Sequence, residues 1–380
     1  MANVLDDLAG DIYKAADVVG RELTGAITAS TINANGSDRV AVGDTVRSHF
    51  TREAVEVDVT PSMTTPEGTD QTVDNKTATI SKSKAIQIPW TGEDIRSVNN
   101  GSGYATIYGD QIAQAVRRLA NLVEIDANIE IARNASRAVG AGGTTPFSTN
   151  QDIINEARQI LVDNGAPNND GRTSMVMNTS ASTKFRNLSN LYKVNEAGSD
   201  SLLRQGILQD ISGIMMRETG NAYAHTKGTG TGYLVNEAGI VVGQRAIAAD
   251  TGSGTILAGD VVTFAGDDNQ YVTSGLAGGT LTLNETGART AFANNDAITV
   301  GSSYNANFVM HQAAHEIIMR PPAVPDGGDT AVDSMIIQDP RSGLVFEVRM
   351  YKGYRKQMIE VALAWGVKAW LPKYIALVQG

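Results

Sequence analysis

The pattern of apolar and polar positions changes character several times along the chain. Residues 4–28 place Val4, Leu5, Leu8, Ile12, Ala15, Val19 and Leu23 at spacings of three and four, the period of an amphipathic helix. Gly10, Gly20 and Gly25 interrupt that pattern, so a broken helix draped over a neighbour is expected, with an ordinary N-terminal helix as the alternative. Val55, Val57 and Val59 then alternate with Glu56, Asp58 and Thr60, the period of a strand. Pro61 to Asn75 is polar and turn-rich, and the chain returns through Ala78, Ile80, Ile86 and Ile88. This reads as a long hairpin with too few large apolar residues to cover itself. An isolated hairpin is marginal in water, so this one needs a partner surface. Its outgoing side is acidic (Glu53, Glu56, Asp58) and its returning side basic (Lys76, Lys82, Lys84). The charges can pair across the hairpin, and they can also meet a neighbouring subunit.

After the loop Asn99-Asn100-Gly101-Ser102-Gly103 comes the strongest helical pattern, Tyr104 to Ala138. A polar stripe of Asp110, Gln114, Arg117, Asn121, Glu124 and Asn128 alternates spacings of four and three, with Ile112, Val116, Leu119, Val123 and Ala127 on another face. At 1.5 Å per residue the helix is about 50 Å long. Gly140 to Pro146 ends it. Ile153, Ile154, Ala157, Ile160 and Leu161 predict a shorter helix, Asn164-Gly165-Ala166-Pro167 a turn, and Met175-Val176-Met177 a strand.

From about Thr226 to Gly301 the composition shifts to Gly, Thr, Ala and Asp. Short apolar runs recur between turns at 233–235, 240–242, 261–264, 271–272, 281–283 and 298–300. Short strands at such spacing predict a small barrel or sandwich. Strands are then expected at 307–310, 316–319, 344–350 and 361–365, and Leu371 to Val378 closes the chain.

Length and charge narrow the function. A chain of 380 residues exceeds one compact core, so two or three subdomains are expected. With 42% hydrophobic and 19% charged residues, wholesale disorder is not expected. The net charge of −10 fits a container better than a sequence-specific DNA reader, which carries a basic patch. The absence of cysteine removes disulfides and thiolate chemistry. The acidic start lacks an apolar signal core, and no run approaches the roughly 18 apolar residues of a membrane span. A soluble protein made in a cytoplasm is the expectation.

Chemistry-bearing motifs are sparse. His311 and His315 lie four apart, but the motif His-Gln-Ala-Ala-His lacks the glutamate that follows the first histidine of the metalloprotease pattern. On a strand the two would be about 13 Å apart. Gly228-Thr229-Gly230-Thr231-Gly232 lacks the Lys-Ser/Thr of a phosphate loop and reads as a linker. No nucleophile elbow and no paired carboxylates stand out. Neither catalytic residues, nor metal ligands, nor a cofactor are expected.

Several stretches, in order, carry a resemblance. These are Gly165-Ala166-Pro167 with Gly171-Arg172, then Leu203 to Ile207 followed by Ile211-Ser212-Gly213-Ile214, then Leu257 to Phe264. Phe308 to Arg320 and Trp365 to Pro372 complete the series. Together they resemble tailed-bacteriophage major capsid proteins of the Hong Kong 97 type, and in particular the short-tailed Salmonella phage branch with an inserted I domain. The resemblance implies an α+β fold: an N-terminal arm (1–40), an E-loop hairpin (41–90), and a P domain with its spine helix at 104–138 (91–149). An A domain (150–225 and 304–335), an inserted β-barrel I domain (226–303) and closing strands (336–380) complete it. It also implies self-assembly through pentamers and hexamers into an icosahedral phage head. Scaffolding and portal proteins, packaged double-stranded DNA and a decoration protein are the implied partners, and no membrane is involved. The implied location is the virion, after assembly in the host cytoplasm.

Physics points to inter-subunit contacts in the hairpin. The expected contact set is Arg47, Arg52, Glu53, Val55, Glu56, Val57, Asp58, Val59, Lys76, Lys82, Lys84, Ile86 and Ile88. The rivals are an encapsulin-like bacterial shell, a β-rich tail or surface protein (disfavoured by the long helix and the lack of repeats), and a hydrolase.

Overall fold

A computed structural model describes residues 24–36, 38–51, 56–65, 68, 73–99, 104–193, 208, 210–339 and 342–380. The expected helix at 4–28 therefore lies almost wholly outside the described residues, as does 203–207. The fold is mixed α+β, with one long helix and two large sheets.

The helix Tyr104–Asn134 is the centre of the main core. Ile112, Val116, Leu119, Val123 and Ala127 are buried, as the apolar stripe requires. It stops four residues before the expected end at Ala138. Asn134 turns its side-chain amide back to the Glu130 carbonyl, and the Ser136 N–H and hydroxyl both donate to the Ile375 carbonyl. The next backbone groups are taken by a parallel strand pair, Arg137–Val139 against Ala376–Val378. A distant strand thus outcompetes the helical ladder for the same donors.

One side of this helix packs on a six-stranded sheet whose longest strand is Lys356–Ala369. That strand pairs antiparallel with Val345–Gly353 and with Lys82–Thr91 over its first part, and with His315–Arg320 over its last six residues. Trp365, Leu363, Phe346 and Ile317 enter the core from this sheet. The strand Ala331–Gln338, which the apolar pattern does not predict, forms the far edge.

The second sheet begins in the body, where Tyr304–His311 lies between Ile375–Gln379 and Thr173–Asn178. The helix Asp152–Asp163 covers this part through Ile154, Ala157, Ile160 and Leu161. The sheet then passes through Arg137–Val139 into Gln270–Ala277. Six strands follow one another around a ring: 261–264, 297–300, 233–235, 246–250, 280–283 and 270–277. The last pairs again with the first. The closed ring holds its own core of Val235, Ile247, Val262, Phe264, Tyr271, Leu281 and Phe292. Val241 and Val242, expected in a strand, are exposed, and only Ile240 forms a bridge there.

A two-stranded ribbon stands apart from both sheets. Thr45–Thr51 pairs antiparallel with Val73–Thr79, from Thr45 opposite Thr79 to Thr51 opposite Val73. Its base rests on a small cluster of Val40, Ala78, Ile80, Ile318 and Ala364. The approach is close: a Cβ at Gly366 would lie 2.2 Å from the Thr79 carbonyl oxygen, so only glycine lets the ribbon cross the sheet there.

Candidate assembly interface

The ribbon and the loop it carries hold most of the residues expected at subunit contacts, and the structure sorts those residues into distinct groups. Arg52, Glu53 and Val55 lie outside the described residues. Glu56, Val57, Asp58 and Val59 fall in a segment, 56–65, that is exposed and without regular structure, not in the outgoing strand expected there. The outgoing strand is Thr45–Thr51 instead, and it brings Arg47 to an exposed position on the ribbon. Lys76 sits on the returning strand opposite Ser48, not opposite an acidic residue, and its ammonium donates to the Trp370 carbonyl at 2.9 Å.

Lys82, Lys84, Ile86 and Ile88 are not in the ribbon. They belong to the strand Lys82–Thr91, which is zipped along Lys356–Trp365 inside the six-stranded sheet. Ile88 is 7% exposed and belongs to the main core of its own subunit, with Ile86 packed against that core. The Lys82 ammonium is bound at 2.7 Å to Asp126 of the long helix, whose other oxygen accepts the Trp365 indole N–H. The contact face expected from Ile86 and Ile88 is therefore an internal packing face. The period-two alternation is the same for both uses, and the long-range partner strand decides between them. Lys84 remains exposed.

The loop is what remains outward. Val57, Val59 and Met63 are 75%, 98% and 106% exposed, so their own subunit covers them hardly at all. Acidic and apolar residues alternate at Glu56, Val57, Asp58 and Val59. Full burial of a valine or methionine side chain stabilises by about 1.5–3 kcal/mol, and an ordered loop residue loses about 1–2 kcal/mol of conformational entropy. Burial of these apolar side chains on a second surface offsets that ordering cost.

Several polar groups of the body are tied inward. Glu124, part of the helix's polar stripe, is fully buried. It accepts the Ala26 and Ile27 N–H groups, each at 2.9 Å, and the Thr219 hydroxyl at 2.7 Å. Burial pushes its pKa above the usual carboxylate range, while these donors pull the other way. The carboxylate thereby fastens the short helix Gly25–Ala29 to the middle of the long one. At Glu124 the stripe is polar because it anchors a segment about a hundred residues away, and a helical wheel cannot show that. Arg39 forms a bidentate pair with buried Glu347 at 2.6 and 3.1 Å and also donates to the Pro322 carbonyl. This contact raises the Arg39 pKa and holds the chain ahead of the ribbon against the sheet.

Three histidines whose side chains are described are engaged likewise. His225 is buried where the barrel joins the body, with one ring nitrogen 2.7 Å from Asp260 and the other 3.1 Å from the Tyr223 hydroxyl. Asp260 also accepts the N–H groups of Gly228 and Leu257. The glycine run at 228–232 is thus held as the barrel's entry. His311 lies at the end of a strand and bonds Asp170 at 2.8 Å, while its other nitrogen accepts the Ala313 N–H. His315 starts the next strand, bonds Ser30 at 2.8 Å and is fully buried, which pushes its pKa down to about 3. Two strands separated by a short turn thus give the two histidines different partners. No group of metal-binding side chains occurs among the described residues, and no helix among them is long and apolar enough to cross a membrane.

No family model matches the chain, and no curated protein matches it. Among solved structures, the chain is similar to the capsid of the cyanophage P-SCSP1u, with a TM-score of 0.49 and 9% identity over 92% of this chain and 86% of that one. It is similar to the capsid of a native GTA particle, with a TM-score of 0.48 and 10% identity over 94% and 90%. It is also similar to a virus-like particle from Pyrococcus furiosus, with a TM-score of 0.44 and 10% identity over 99% and 100%.

Proposed function

We propose that this chain is the major capsid protein of a tailed bacteriophage, a structural protein that closes an icosahedral shell around double-stranded DNA. The observation that carries the reading is the loop at 56–65, which presents Val57, Val59 and Met63 to solvent, whereas the other large apolar residues among the described ones are mostly packed. A monomer gains nothing from that arrangement, whereas in a closed assembly each loop is covered by a neighbour. In this reading residues 1–40 form the arm and 41–90 the hairpin region. The P domain is 91–149, and the A domain comprises 150–225 and 304–335. Residues 226–303 are an inserted barrel domain, and 336–380 supply closing strands. Subunits associate as pentamers and hexamers with a scaffolding protein, a portal occupies one vertex, and a decoration protein can bind outside. The strand Lys82–Thr91, although counted with the hairpin region, acts as part of the subunit's own sheet.

Negative-stain electron microscopy of the protein, expressed with and without its neighbouring genes, tests the reading. Closed shells of uniform diameter are the expected result. Monomers or small rings alone, even with a scaffold present, would overturn it in favour of a tail or surface protein.

A further inference from the structure

The barrel leaves and rejoins the body at one place. Asp260 accepts the Gly228 N–H at 3.1 Å, and the Gly301 N–H donates to the Val261 carbonyl at 2.8 Å, so the chain from 228 to 301 is tied to the barrel. The strand Ala224–His225 pairs in the body with the strand that starts at Tyr304. Thr226-Lys227 and Ser302-Ser303 cross between the two parts. They lie side by side, with the Lys227 N–H donating to the Ser303 hydroxyl at 3.1 Å. Two adjacent crossings make one hinge, where two separated ones would make a clamp. Beside them His225 bonds Asp260 at 2.7 Å, and the Tyr304 hydroxyl donates to the Gly259 carbonyl at 2.7 Å. These contacts sit at the pivot, so they resist sliding better than turning.

Turning is opposed at a second place, the C-terminal end of the long helix. The last carbonyls of a helix have no partner within it. Here the buried side-chain amide of Asn284, just past the barrel strand 280–283, donates to the Arg133 carbonyl at 2.9 Å and to the Ala135 carbonyl at 2.8 Å. Its amide oxygen accepts the Ser274 hydroxyl at 2.7 Å, so the group is oriented from within the barrel. Around it the barrel meets the body in a ladder of two residue pairs, Gln270 with Ala138 and Tyr271 with Arg137, and in an apolar footing of Val261 and Val272. A domain with its own core and a small interface moves relative to its neighbour unless something holds it. We infer that the barrel is a hinged domain and that Asn284 is its latch. Bound to the end of the long helix, Asn284 fixes the barrel in one orientation; without it, the barrel turns about 226–227 and 302–303 as a folded unit. The inference concerns the single subunit and does not depend on the shell reading.

The chain has no cysteine, so two introduced thiols carry spin labels without background. Arg118→Cys on the exposed face of the long helix and Val242→Cys on an exposed barrel loop supply the positions. Pulsed electron resonance on the frozen subunit reads the distance between the labels, and one narrow distribution is expected for the doubly labelled parent chain. Asn284→Asp keeps the size of the side chain but leaves no donor for the two carbonyls. It should widen the distribution at least about twofold, as a released hinge requires, while the amides of 233–300 stay protected from hydrogen exchange. Asn284→Ala should do the same. A broad or two-peaked distribution in the parent chain would overturn the latch, and so would an unchanged width in both variants. Widening accompanied by lost protection throughout 233–300 would overturn it as well, because Asn284 would then hold the barrel's fold and not its orientation.

Discussion

The barrel and the ribbon are both made of short antiparallel strands, yet only the barrel encloses an apolar core of its own. In the barrel six strands close on themselves, and every second side chain points to a shared interior where Phe264 stacks on Phe292 at 4.2 Å. In the ribbon two strands share no interior. At its base Ala78 packs with Val40, Ile80, Ile318 and Ala364, and its loop carries valines that are 75% and 98% exposed. Closure supplies the barrel with a core, whereas the described residues of the ribbon's loop are exposed throughout. The barrel strands are also richer in β-branched and aromatic residues than the ribbon strand Val73–Thr79, which carries Asp74, Asn75 and Lys76.

The largest effect that sharpens this contrast is on assembly. Residues 52–72 can be replaced by Asn-Gly, a two-residue turn suited to joining the directly opposed Thr51 and Val73. The subunit should keep its thermal midpoint within about 3 °C, since only exposed side chains among the described residues of the loop are removed. Shells should be absent by electron microscopy. Shells from the shortened chain would show that the loop's exposure has no part in assembly.

Within the barrel the expected effect is on stability. Phe264→Ala removes a buried ring from a closed core and should cost about 3–5 kcal/mol. Hydrogen exchange of the amides in 233–300 is the measurement. Faster exchange confined to these strands would show that the barrel is stabilised by its own interior. An equal loss of protection in the long helix would show that barrel and body unfold as one unit.

A smaller effect marks the seam between the N-terminal segment and the six-stranded sheet. His315 has its pKa depressed from 6.5 to about 3 by burial and stays neutral in the fold. Below pH 6.5 the unfolded chain takes up a proton that the folded chain refuses. The contribution is therefore present above pH 6.5 and is lost as pH falls toward 3, at about 1.4 kcal/mol per pH unit. In His315→Asn, whose side-chain amide can still donate to Ser30, the acid limb of a urea-midpoint profile should be flatter by up to that slope. An unchanged profile would show that His315 does not govern it.

Much of the architecture was legible in the pattern of residues, and the exceptions share a cause. The long helix, the helix at 152–163 and the barrel strands at 233–235, 261–264, 281–283 and 298–300 follow from local periodicity. The ribbon strand Thr45–Thr51 lacks a run of large apolar residues, and its register is set by Val73–Thr79. The edge strand Ala331–Gln338 mixes exposed Val332 and Ile336 with Asp333 and Ser334, so neither face reads as buried. The polar anchors were hidden for the same reason: Glu124 meets partners at 26, 27 and 219, and Asp260 meets His225. Among the residues expected at contacts, Glu56 to Val59 alternate charge and apolarity, and the structure leaves them exposed. Ile86 and Ile88 show the same alternation, and only a strand some 270 residues later reveals that they face inward.

Lys82 gives the smallest expected effect and the sharpest test of that sorting. Its ammonium is about half exposed and pairs with Asp126, so Lys82→Ala should cost under about 1 kcal/mol once solvent screening is allowed for. If the strand Lys82–Thr91 serves only its own subunit, the variant should assemble with unchanged yield, in contrast to the loop deletion. Asp126 keeps the Trp365 indole N–H as a partner, so the local packing has no reason to open. A Lys82→Ala chain that folds with a normal thermal midpoint yet forms no shells would return this strand to the interface. The boundary between self-covered and neighbour-covered surface would then move from the ribbon's base to the far side of the sheet.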